Sequence, residues 1–574
     1  MRPLVFLART GAQTIQEAYE AYRREFQRIT AQARLRFEER DWKGGQRDAA
    51  ERLALYRRFV ENVVAELERI LGEQLKDAPT WRRMKADFSE SIEGFPDVEL
   101  AETFFNSVTR RVFATVGVDP DIEFVDLDMR RDRYGPGSSI HRRHVRRGST
   151  RAMVIEALAP HAFAAPFRDL EGDAGRVAAE IDATWAGAWN LRPFESLDLI
   201  DAVFYRGSGA YLVGRLRGGD SILPLVLVLL HTDEGIEVDA VLLTERDVSI
   251  VFSFTRSHFL VAVEHPGDVI RFLHSIMPRK PLAELYISLG YSKHGKTEMY
   301  RDLLGHMQRS MDVFDHARGE EGMVMIVFDL RSYDYVFKVI RDRFAAPKNN
   351  TRADVEQRYR LVFQHDRAGR LIEAQEFEHL TFERRRFSPV LIQELATNAT
   401  RSVVVDEQEV HIRHLYVERR IQPLNLYLSE ASDGAAARVV EDYGQAIRDL
   451  AMMNIFPGDL LLKNFGVTRH GRVAFYDYDE LSLVTECVFR DLPQAQSSDE
   501  ELAAEPWFYV GEHDVFPEEF LPFLGLRPEL RRVFLEAHGE LLTAAFWRKL
   551  QERHAAGEVL DVLPYPDAKR LGRR

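Results

Sequence analysis

Cysteine is almost absent from this sequence, since Cys487 is the single one among 574 residues. No intrachain disulfide can form, and a reducing compartment fits this composition. Long apolar runs are absent as well, because the most apolar stretch, 222–230, has about half the length that a membrane-spanning helix needs. The apolar run in the N-terminal MRPLVFLART is too short for the core of a signal peptide. We therefore expect a cytoplasmic protein without a membrane anchor, and a buried strand at 222–230.

An excess of positive charge is also lacking. The chain has 77 Lys and Arg against 91 Asp and Glu, a formal net charge of −14, which argues against a general nucleic-acid-binding protein. The basic C-terminal residues Lys569, Arg570, Arg573 and Arg574 are expected to form a solvated terminus. The remaining composition, 45% hydrophobic and 29% charged, is that of a globular protein. The length predicts two or more domains.

The N-terminal half is predicted to be mainly helical, with a sheet inserted in it. Apolar residues recur at helical spacing over Thr14–Leu75, and further helices are predicted at 98–116, 175–189, 269–277 and 296–311. From Asp201 to about residue 263, apolar and polar residues alternate between glycines, as they do in β-hairpins. We place the end of this first domain at residue 314, where the sequence HARGEEG precedes a run typical of a strand.

The second domain, residues 315–574, is predicted to begin with strands and to end in a helical lobe. The predicted elements are strands at Met323–Asp329 and Tyr335–Ile340, a helix at 352–366, an extended run at 403–416, a helix at 435–453 and a hairpin at 460–478. From Pro493 onward the sequence predicts mainly helix. This order of elements is typical of a bilobal kinase domain.

Three residues of the segment 454–480 have the spacing of a phosphoryl-transfer site. Asn464 follows Asp459 by five residues, and Asp477 follows Asn464 by 13 residues, across the predicted hairpin. Kinases use such residues to orient the attacking hydroxyl and to hold Mg²⁺ against the phosphates. The alternative is that Asp459 caps a turn after Pro457 and Gly458 and that Asn464 satisfies loop backbone.

Lys338 is the predicted contact for the nucleotide phosphates. It lies in the apolar, strand-like run YDYVFKVI, where a lysine is costly unless it is paired or functional. A kinase lysine at this point pairs with a helix glutamate, for which Glu356 and Glu376 are candidates. The alternative is a lysine on an edge strand that faces water.

Two further kinase features are weaker. The turn HARGEEGM offers only Gly319 and Gly322 for backbone contacts to phosphate, and such glycines serve any tight turn. HLYVERRIQPLNLYL, residues 414–428, lies where an interlobe hinge is expected, with the backbone of 418–420 facing adenine; a charged connector is the alternative. The sequence has no H-R-D, D-F-G or A-P-E, so an ordinary eukaryotic-type kinase is not predicted.

The strings ARGEEGM, VFKVIRDRFAAPKN, HDRAGR, IRHLYVERR, NIFPGD and KNFGVTRHGRVAFYDYDE resemble bacterial isocitrate dehydrogenase kinase/phosphatases. The resemblance extends over the whole chain, including FFNSVTRRVF near residue 104 and EPWF after residue 490. It implies an N-terminal mixed α/β regulatory domain, a C-terminal kinase-like domain and control by AMP. It also implies two opposed reactions on isocitrate dehydrogenase, ATP-dependent phosphorylation of a serine and removal of that phosphate, which switch carbon between the citric acid cycle and the glyoxylate bypass.

The resemblance also implies roles for individual residues. It puts catalysis on Asp459, metal binding on Asn464 and Asp477, and ATP contact on Lys338. A further acidic active-site residue, usually aspartate in the family, falls on Glu373, whose side chain is one methylene longer. A solvated charge beside a turn is the alternative for Glu373. The ATP loop falls on Ala317, Arg318, Gly319, Glu320, Glu321, Gly322 and Met323.

Two other functions compete with this one. A small-molecule kinase of the same superfamily would share the Asp, Asn and Asp arrangement, but the polar insert at 493–507 favours a protein substrate. A pseudokinase scaffold would bind nucleotide without chemistry, and the presence of all four motif residues argues against it. The motifs predict ATP or ADP and Mg²⁺ as cofactors, and the resemblance implies AMP as an effector and isocitrate dehydrogenase as partner. Neither nucleic acid nor a membrane is an expected partner. A homodimer is the expectation for the oligomeric state.

Overall fold

The structure is a computed structural model that describes residues 2–114, 117–125, 140–161, 163–188, 194–253, 258–345, 350–365, 367–493 and 508–573. It divides into two compact units: unit 1 comprises Met1–Met311 and Leu563–Arg574, and unit 2 comprises Asp312–Val562. Over the described residues, no helix has both the length and the apolarity needed to cross a membrane.

The helices of unit 1 form where apolar residues recur with helical period. In the first of them the buried residues are Ile15, Tyr19, Tyr22, Phe26 and Ile29, which share one face because they are spaced three or four residues apart. The second is capped at its N-terminus by Asp41, whose carboxylate accepts a hydrogen bond from the Gly44 N–H at 2.9 Å. The helices are α1 (Arg2–Glu38), α2 (Trp42–Leu71), α3 (Ala78–Ser91), α4 (Val98–Phe113), α5 (Thr150–Leu158), α6 (Leu170–Gly187), α7 (Glu245–Val251), α8 (Pro266–Ile276), α9 (Leu282–Ser288) and α10 (Ser292–Arg309).

An antiparallel sheet with both faces buried completes unit 1. Its strands are β1 (His141–Val145), β2 (Ser196–Ile200), β3 (Phe204–Arg206), β4 (Gly209–Gly218), β5 (Ser221–Thr232) and β6 (Gly235–Leu242), in the order β1-β2-β4-β5-β6 with β3 paired to β4. Leu225, Leu227 and Leu229 of β5 pack into the core with α5 and α6, whereas Val226 and Val228 pack into the core that contains α1–α4. Because successive side chains of a strand point to opposite faces, a continuous apolar run is required here. The predicted buried strand at 222–230 is confirmed.

The C-terminal segment 563–573 packs on this sheet, so the expected solvated terminus is wrong for two of its basic residues. The Arg570 guanidinium lies 2.7 Å from the buried carboxylate of Asp239 on β6, and the Tyr565 hydroxyl donates to the same carboxylate at 2.8 Å. Lys569 pairs with Asp247 at 3.0 Å. A buried carboxylate needs such partners, and sequence texture does not show that it is present. The chain thus passes to unit 2 after residue 311, three residues before the expected boundary, and returns to unit 1 at residue 563.

Unit 2 begins with a sheet lobe. Its strands are β7 (Phe314–His316), β8 (Met325–Leu330), β9 (Tyr335–Ile340), β10 (Ala374–Glu383), β11 (Val403–Val405) and β12 (Glu409–Arg419), in the order β10-β12-β9-β8-β7 with β11 paired to β12. Two helices accompany this sheet, α11 (Arg352–His365) and α12 (Pro389–Asn398). The sequence predictions contained neither β10 nor α12.

A helical lobe follows, with short strand pairs that carry loops. Its helices are α13 (Leu424–Glu430), α14 (Asp433–Met452), α15 (Phe520–Phe523), α16 (Pro528–His538) and α17 (Ala544–Ala555), and its strands are β13 (Gln422–Pro423), β14 (Ile455–Phe456), β15 (Phe465–Val467), β16 (Val473–Phe475), β17 (Ser482–Leu483), β18 (Val488–Phe489) and β19 (Asp514–Val515). The insert at 493–507 lies, except for Pro493, outside the described residues. The α+β fold class is confirmed, with a helical first unit that contains a sheet and a second unit ordered like a bilobal kinase.

Candidate active site

A cleft of about 2080 Å³ lies in unit 2, lined by residues of both lobes. The loop between β7 and β8 contributes to it, together with β9, the end of β12 and the segment 459–480. The predicted site residues that line it are Ala317, Arg318, Gly319, Glu320, Glu321, Gly322, Met323, Lys338, Asp459, Asn464 and Asp477. Residues separated by up to 160 positions in sequence therefore meet in one place.

Lys338 is buried in the middle of the sheet lobe. Its strand β9 lies between β12 and β8, so Lys338 is not on an edge strand, and only 5% of its surface is exposed. Its Nζ lies 2.7 Å from Glu418 Oε2 and donates a hydrogen bond to the Tyr476 carbonyl at 2.8 Å. The lysine is thereby held at the cleft wall by one group from the sheet lobe and one from the segment before Asp477.

The carboxylate partner of Lys338 is Glu418, which corrects the expected candidates. Glu356 pairs with Arg352 at 3.1 Å and Glu376 with His414 at 2.8 Å. Glu418 is 1% exposed. Burial raises the pKa of Glu418 above its ordinary value, although Lys338 and the Tyr359 hydroxyl both oppose the rise. From the sequence, Glu418 is predicted only as part of the hinge.

The loop that carries Asp459 is fixed by backbone geometry on both sides of the residue. Gly458 has a φ of +78°, and a Cβ there would lie 2.6 Å from the Glu480 carbonyl oxygen. The Tyr443 hydroxyl of α14 donates to the Leu460 carbonyl at 2.5 Å. The Asn464 amide nitrogen donates to the Asp459 carbonyl at 3.3 Å. The amide oxygen of Asn464 is then the atom that this side chain can offer to a cation.

Asn464 and Asp477 are brought together by the hairpin β15–β16. The Asn464 carbonyl accepts a hydrogen bond from the Tyr476 N–H at 3.1 Å, so the residue before Asp477 is tied to Asn464 itself. Both side chains line the cleft. A carboxylate and an amide oxygen are ligands that suit Mg²⁺, which binds oxygen and usually keeps substrate phosphates and water in its remaining positions. The donor set therefore fits a magnesium nucleotide.

Arg370, which lies just before β10, connects the hairpin β15–β16 to helix α14. Its guanidinium donates to Asp449 at 2.7 Å, to Asp442 at 2.8 Å and to the Val473 carbonyl at 3.0 Å. Burial alone would lower the pKa of Arg370, but the two carboxylates of α14 outweigh it and raise the pKa. Sequence reasoning missed this role, because HDRAGR was recognised only as part of a resemblance.

The loop 317–323 is acidic, but each carboxylate has a cation. Glu320 lies 3.1 Å from Lys463 of the Asp459 loop, and Glu321 lies 2.8 Å from Arg341. Gly322 is required by space, since a Cβ there would lie 2.8 Å from the Met325 carbonyl oxygen. These ion pairs reduce the repulsion that the loop would otherwise exert on a polyphosphate.

The chain is similar to known proteins over nearly its whole length. The model of the isocitrate dehydrogenase kinase/phosphatase (AceK) kinase domain matches residues 312–567, and that of the AceK regulatory domain matches residues 12–311. The chain is 53% identical over 565 residues to a protein of Anaeromyxobacter sp. (strain Fw109-5) named isocitrate dehydrogenase kinase/phosphatase, with 98% of each chain covered. It is 45% identical over 562 residues to a protein of that name from Xanthomonas euvesicatoria pv. vesicatoria, covering 98% of this chain and 97% of the relative.

The chain belongs to the isocitrate dehydrogenase kinase/phosphatase family. The family resemblance predicted from sequence is therefore confirmed.

Of the predicted site residues, Glu373 is the one that does not line the cleft. It directly precedes β10, and its Oε1 accepts a hydrogen bond from the Gln375 side chain. The adjoining Ile372 is hydrogen-bonded to residues on both sides of Asp477: its N–H donates to the Phe475 carbonyl at 3.1 Å, and its carbonyl accepts from the Tyr478 hydroxyl. A catalytic role for Glu373 stays a prediction.

The geometry at Gly458 yields a stability test with a matched control. We expect Gly458→Ala to lower the free energy of unfolding by about 1–2 kcal/mol through left-handed backbone strain, and by about a further 1–3 kcal/mol through the contact with the Glu480 carbonyl. Gly471 has a similar φ of +72° with open space around a Cβ, so Gly471→Ala should show the strain alone. Urea unfolding of both variants measures the difference; equal losses would contradict the contact at Gly458.

Proposed function

We propose that this chain is an ATP-dependent protein-serine kinase acting on isocitrate dehydrogenase, and that it also removes the phosphate it adds. The observation that carries the proposal is the convergence of Lys338, Asp459, Asn464 and Asp477 on one cleft. The names of relatives that align with nearly all of this chain support isocitrate dehydrogenase as the substrate. The reaction would switch carbon between the citric acid cycle and the glyoxylate bypass.

Each residue has one task in the transfer. Lys338, with its charge held by Glu418, faces the nucleotide phosphates and neutralises them. Asn464 and Asp477 hold Mg²⁺, which supplies charge neutralisation at the transferred group when it is bound. Asp459 orients the serine hydroxyl and accepts its proton. Glycine-loop residues 317–323 cover the phosphates.

The competing functions fit the structure less well. A pseudokinase scaffold would not need two metal-binding side chains, Asn464 and Asp477, held close together. Here a backbone hydrogen bond from Tyr476 to Asn464 holds them so. A small-molecule kinase is disfavoured because 98% of this chain aligns with relatives named for a protein substrate. ATP with Mg²⁺ and a protein hydroxyl are the reactants that we propose.

AMP control is proposed for unit 1, since the phosphate-handling residues lie in unit 2. The regulatory-domain model that matches residues 12–311 supports this division. A homodimer and a cytoplasmic location complete the proposal.

Lys338→Met separates the chemical role of the lysine from its structural role. Transfer of labelled phosphate from ATP to isocitrate dehydrogenase should fall by about a hundredfold or more. The variant should also lose about 3–5 kcal/mol of stability, because Glu418 stays buried without its cation. Without Lys338 the pKa of Glu418 in the folded protein is raised further above its ordinary value. Because ionisation of Glu418 is then more costly in the folded variant than in the unfolded one, the variant loses stability as the pH rises. Its loss of unfolding free energy relative to the wild type should therefore grow from pH 5 to pH 8.

Two variants control this experiment. Lys338→Met with Glu418→Gln should regain most of the stability but none of the transfer. Lys549→Met replaces an exposed lysine of α17 and should change stability by no more than about 0.5 kcal/mol. Normal transfer in Lys338→Met would remove the kinase assignment.

The reverse reaction is proposed to use the same cleft. Cys487 is the only cysteine; burial raises the pKa of its thiol, which disfavours a thiolate nucleophile. It also lacks the C-x-x-x-x-x-R phosphate cradle of cysteine phosphatases. Phosphoserine would instead pass its phosphoryl group to bound ADP, or to water with nucleotide and Mg²⁺ present. Glu373 does not line the cleft, but its neighbour Ile372 is hydrogen-bonded on both sides of Asp477, and on this ground Glu373 is proposed to position the reverse nucleophile.

Asp477→Ala tests this single-site proposal. Phosphate release from phosphorylated isocitrate dehydrogenase should require ADP or ATP in the wild type and should fall by about a hundredfold or more in the variant. Asp233→Ala, at a side chain that is 90% exposed in unit 1, should behave as wild type. Undiminished, nucleotide-independent release by Asp477→Ala would demonstrate a separate phosphatase site.

Removal of unit 1 tests the proposal for AMP. Because the segment 563–574 belongs to unit 1, the fragment to compare with the full chain is 312–562. AMP should alter the kinase and phosphatase rates of the full chain, whereas the fragment should bind Mg-ATP without responding to AMP. A folded fragment whose rates still respond to AMP would contradict the division of labour.

A further inference from the structure

Helix α11 has the place in the chain of the kinase helix that supplies a glutamate to the phosphate-binding lysine, yet Lys338 takes its carboxylate from β12. The single glutamate of α11, Glu356, pairs with Arg352 of the same helix, and 36% of its side chain is exposed. Glu418 lies at the end of β12 and reaches Lys338 across the sheet. The usual link between this helix and the lysine is therefore absent in the described part of α11.

A tyrosine makes that link instead. Val355, Tyr359 and Val362 form the buried stripe of α11, because residues spaced by three or four share one helix face. The Tyr359 hydroxyl donates to Glu418 Oε1 at 3.3 Å, while the other carboxylate oxygen of Glu418 holds Lys338 at 2.7 Å. The Tyr359 ring is stacked on Tyr416 of β12 with centroids 3.8 Å apart and an angle of 12°.

The same helix is attached to the segment after the metal-binding Asp477. The Arg358 guanidinium and the Asn350 side chain both donate to the Asp479 carbonyl, the latter at 3.0 Å. Tyr359 also contacts Tyr478 edge to face, with centroids 5.2 Å apart. Tyr359 thus contacts the Lys338–Glu418 ion pair through Glu418. The preceding residue of α11, Arg358, contacts the segment after Asp477 through the Asp479 carbonyl.

We propose that Tyr359 is a positioning residue for Lys338, so that α11 sets the position of the lysine ammonium through the carboxylate of Glu418. A carboxylate bound to a cation by one oxygen can still rotate about its last bond. A hydrogen bond from a ring locked by stacking fixes that rotation, and with it the point at which Nζ meets the phosphates. The inference rests on the proposed ATP-dependent transfer.

Tyr359→Phe tests the inference, because it removes the hydroxyl and keeps the stacked ring. We expect kcat/KM for Mg-ATP to fall about tenfold, the order of one hydrogen bond to a charged group. KM for isocitrate dehydrogenase should be unchanged, and the melting temperature should fall by only a few degrees because one hydrogen bond to buried Glu418 is lost. Tyr509→Phe, at a residue that is 82% exposed, makes the same substitution away from the cleft and should match the wild type. An unchanged kcat/KM in Tyr359→Phe would overturn the inference while leaving the proposed function in place.

A double-mutant cycle with Glu418→Gln decides whether Tyr359 acts through Glu418. If it does, Tyr359→Phe should have no further effect on kcat/KM in the Glu418→Gln background. A full additional tenfold loss would mean that the hydroxyl acts by another route and would overturn the inference. A wild-type protein that transfers no phosphate from ATP would overturn the proposed function, and this inference with it.

Discussion

One buried cation organises the catalytic unit. Arg370 is 4% exposed, and its guanidinium is shared between Asp442 and Asp449 of α14 and the carbonyl of Val473 on the hairpin. Its backbone carbonyl accepts from the Phe475 N–H at 2.7 Å. A guanidinium in this environment is stable only if its fixed fork of donors is satisfied. The helix, the hairpin and the strand that follows Arg370 are therefore constrained to one arrangement, and the arrangement places Asp477.

Among the ion pairs that line the cleft, one is buried and another is exposed to solvent. Lys338 and Glu418 are both buried and satisfy each other, whereas Glu320 and Lys463 meet at the solvent-exposed mouth. The buried pair is the more costly to break, since neither charge has water as an alternative. The exposed pair is screened and weak, so a polyphosphate can displace Glu320 from Lys463 at little cost. The strong ion pair, Lys338–Glu418, is thus buried in the wall of the cleft, and the weak one, Glu320–Lys463, lies at its entrance.

The sequence predicted those parts of the site whose geometry is local. Asp459, Asn464 and Asp477 lie within 19 positions of one another around a hairpin. The apolar neighbours of Lys338 marked it as a candidate, but the sequence left an exposed edge-strand position open, and only the sheet order decides for burial. The side chain of Glu418 was not identified as the partner of Lys338, because its pairing with a lysine 80 positions away depends on sheet register. Arg370 and Tyr359 carry no spacing that identifies their partners. The tail at Arg570 was misplaced for the same reason: Asp239, its partner, lies 331 positions earlier.

That last separation has a consequence for the order in which the protein can fold during synthesis. Asp239 sits on β6 in the middle of unit 1, yet the groups that bind it, Tyr565 and Arg570, are made only after all of unit 2 has been translated. The catalytic unit is one continuous stretch of chain, Asp312–Val562, and its synthesis is complete before residue 563 is added. In unit 1, by contrast, the two side chains that bind Asp239 follow it by 326 and 331 residues, so unit 1 begins first in synthesis but is completed second.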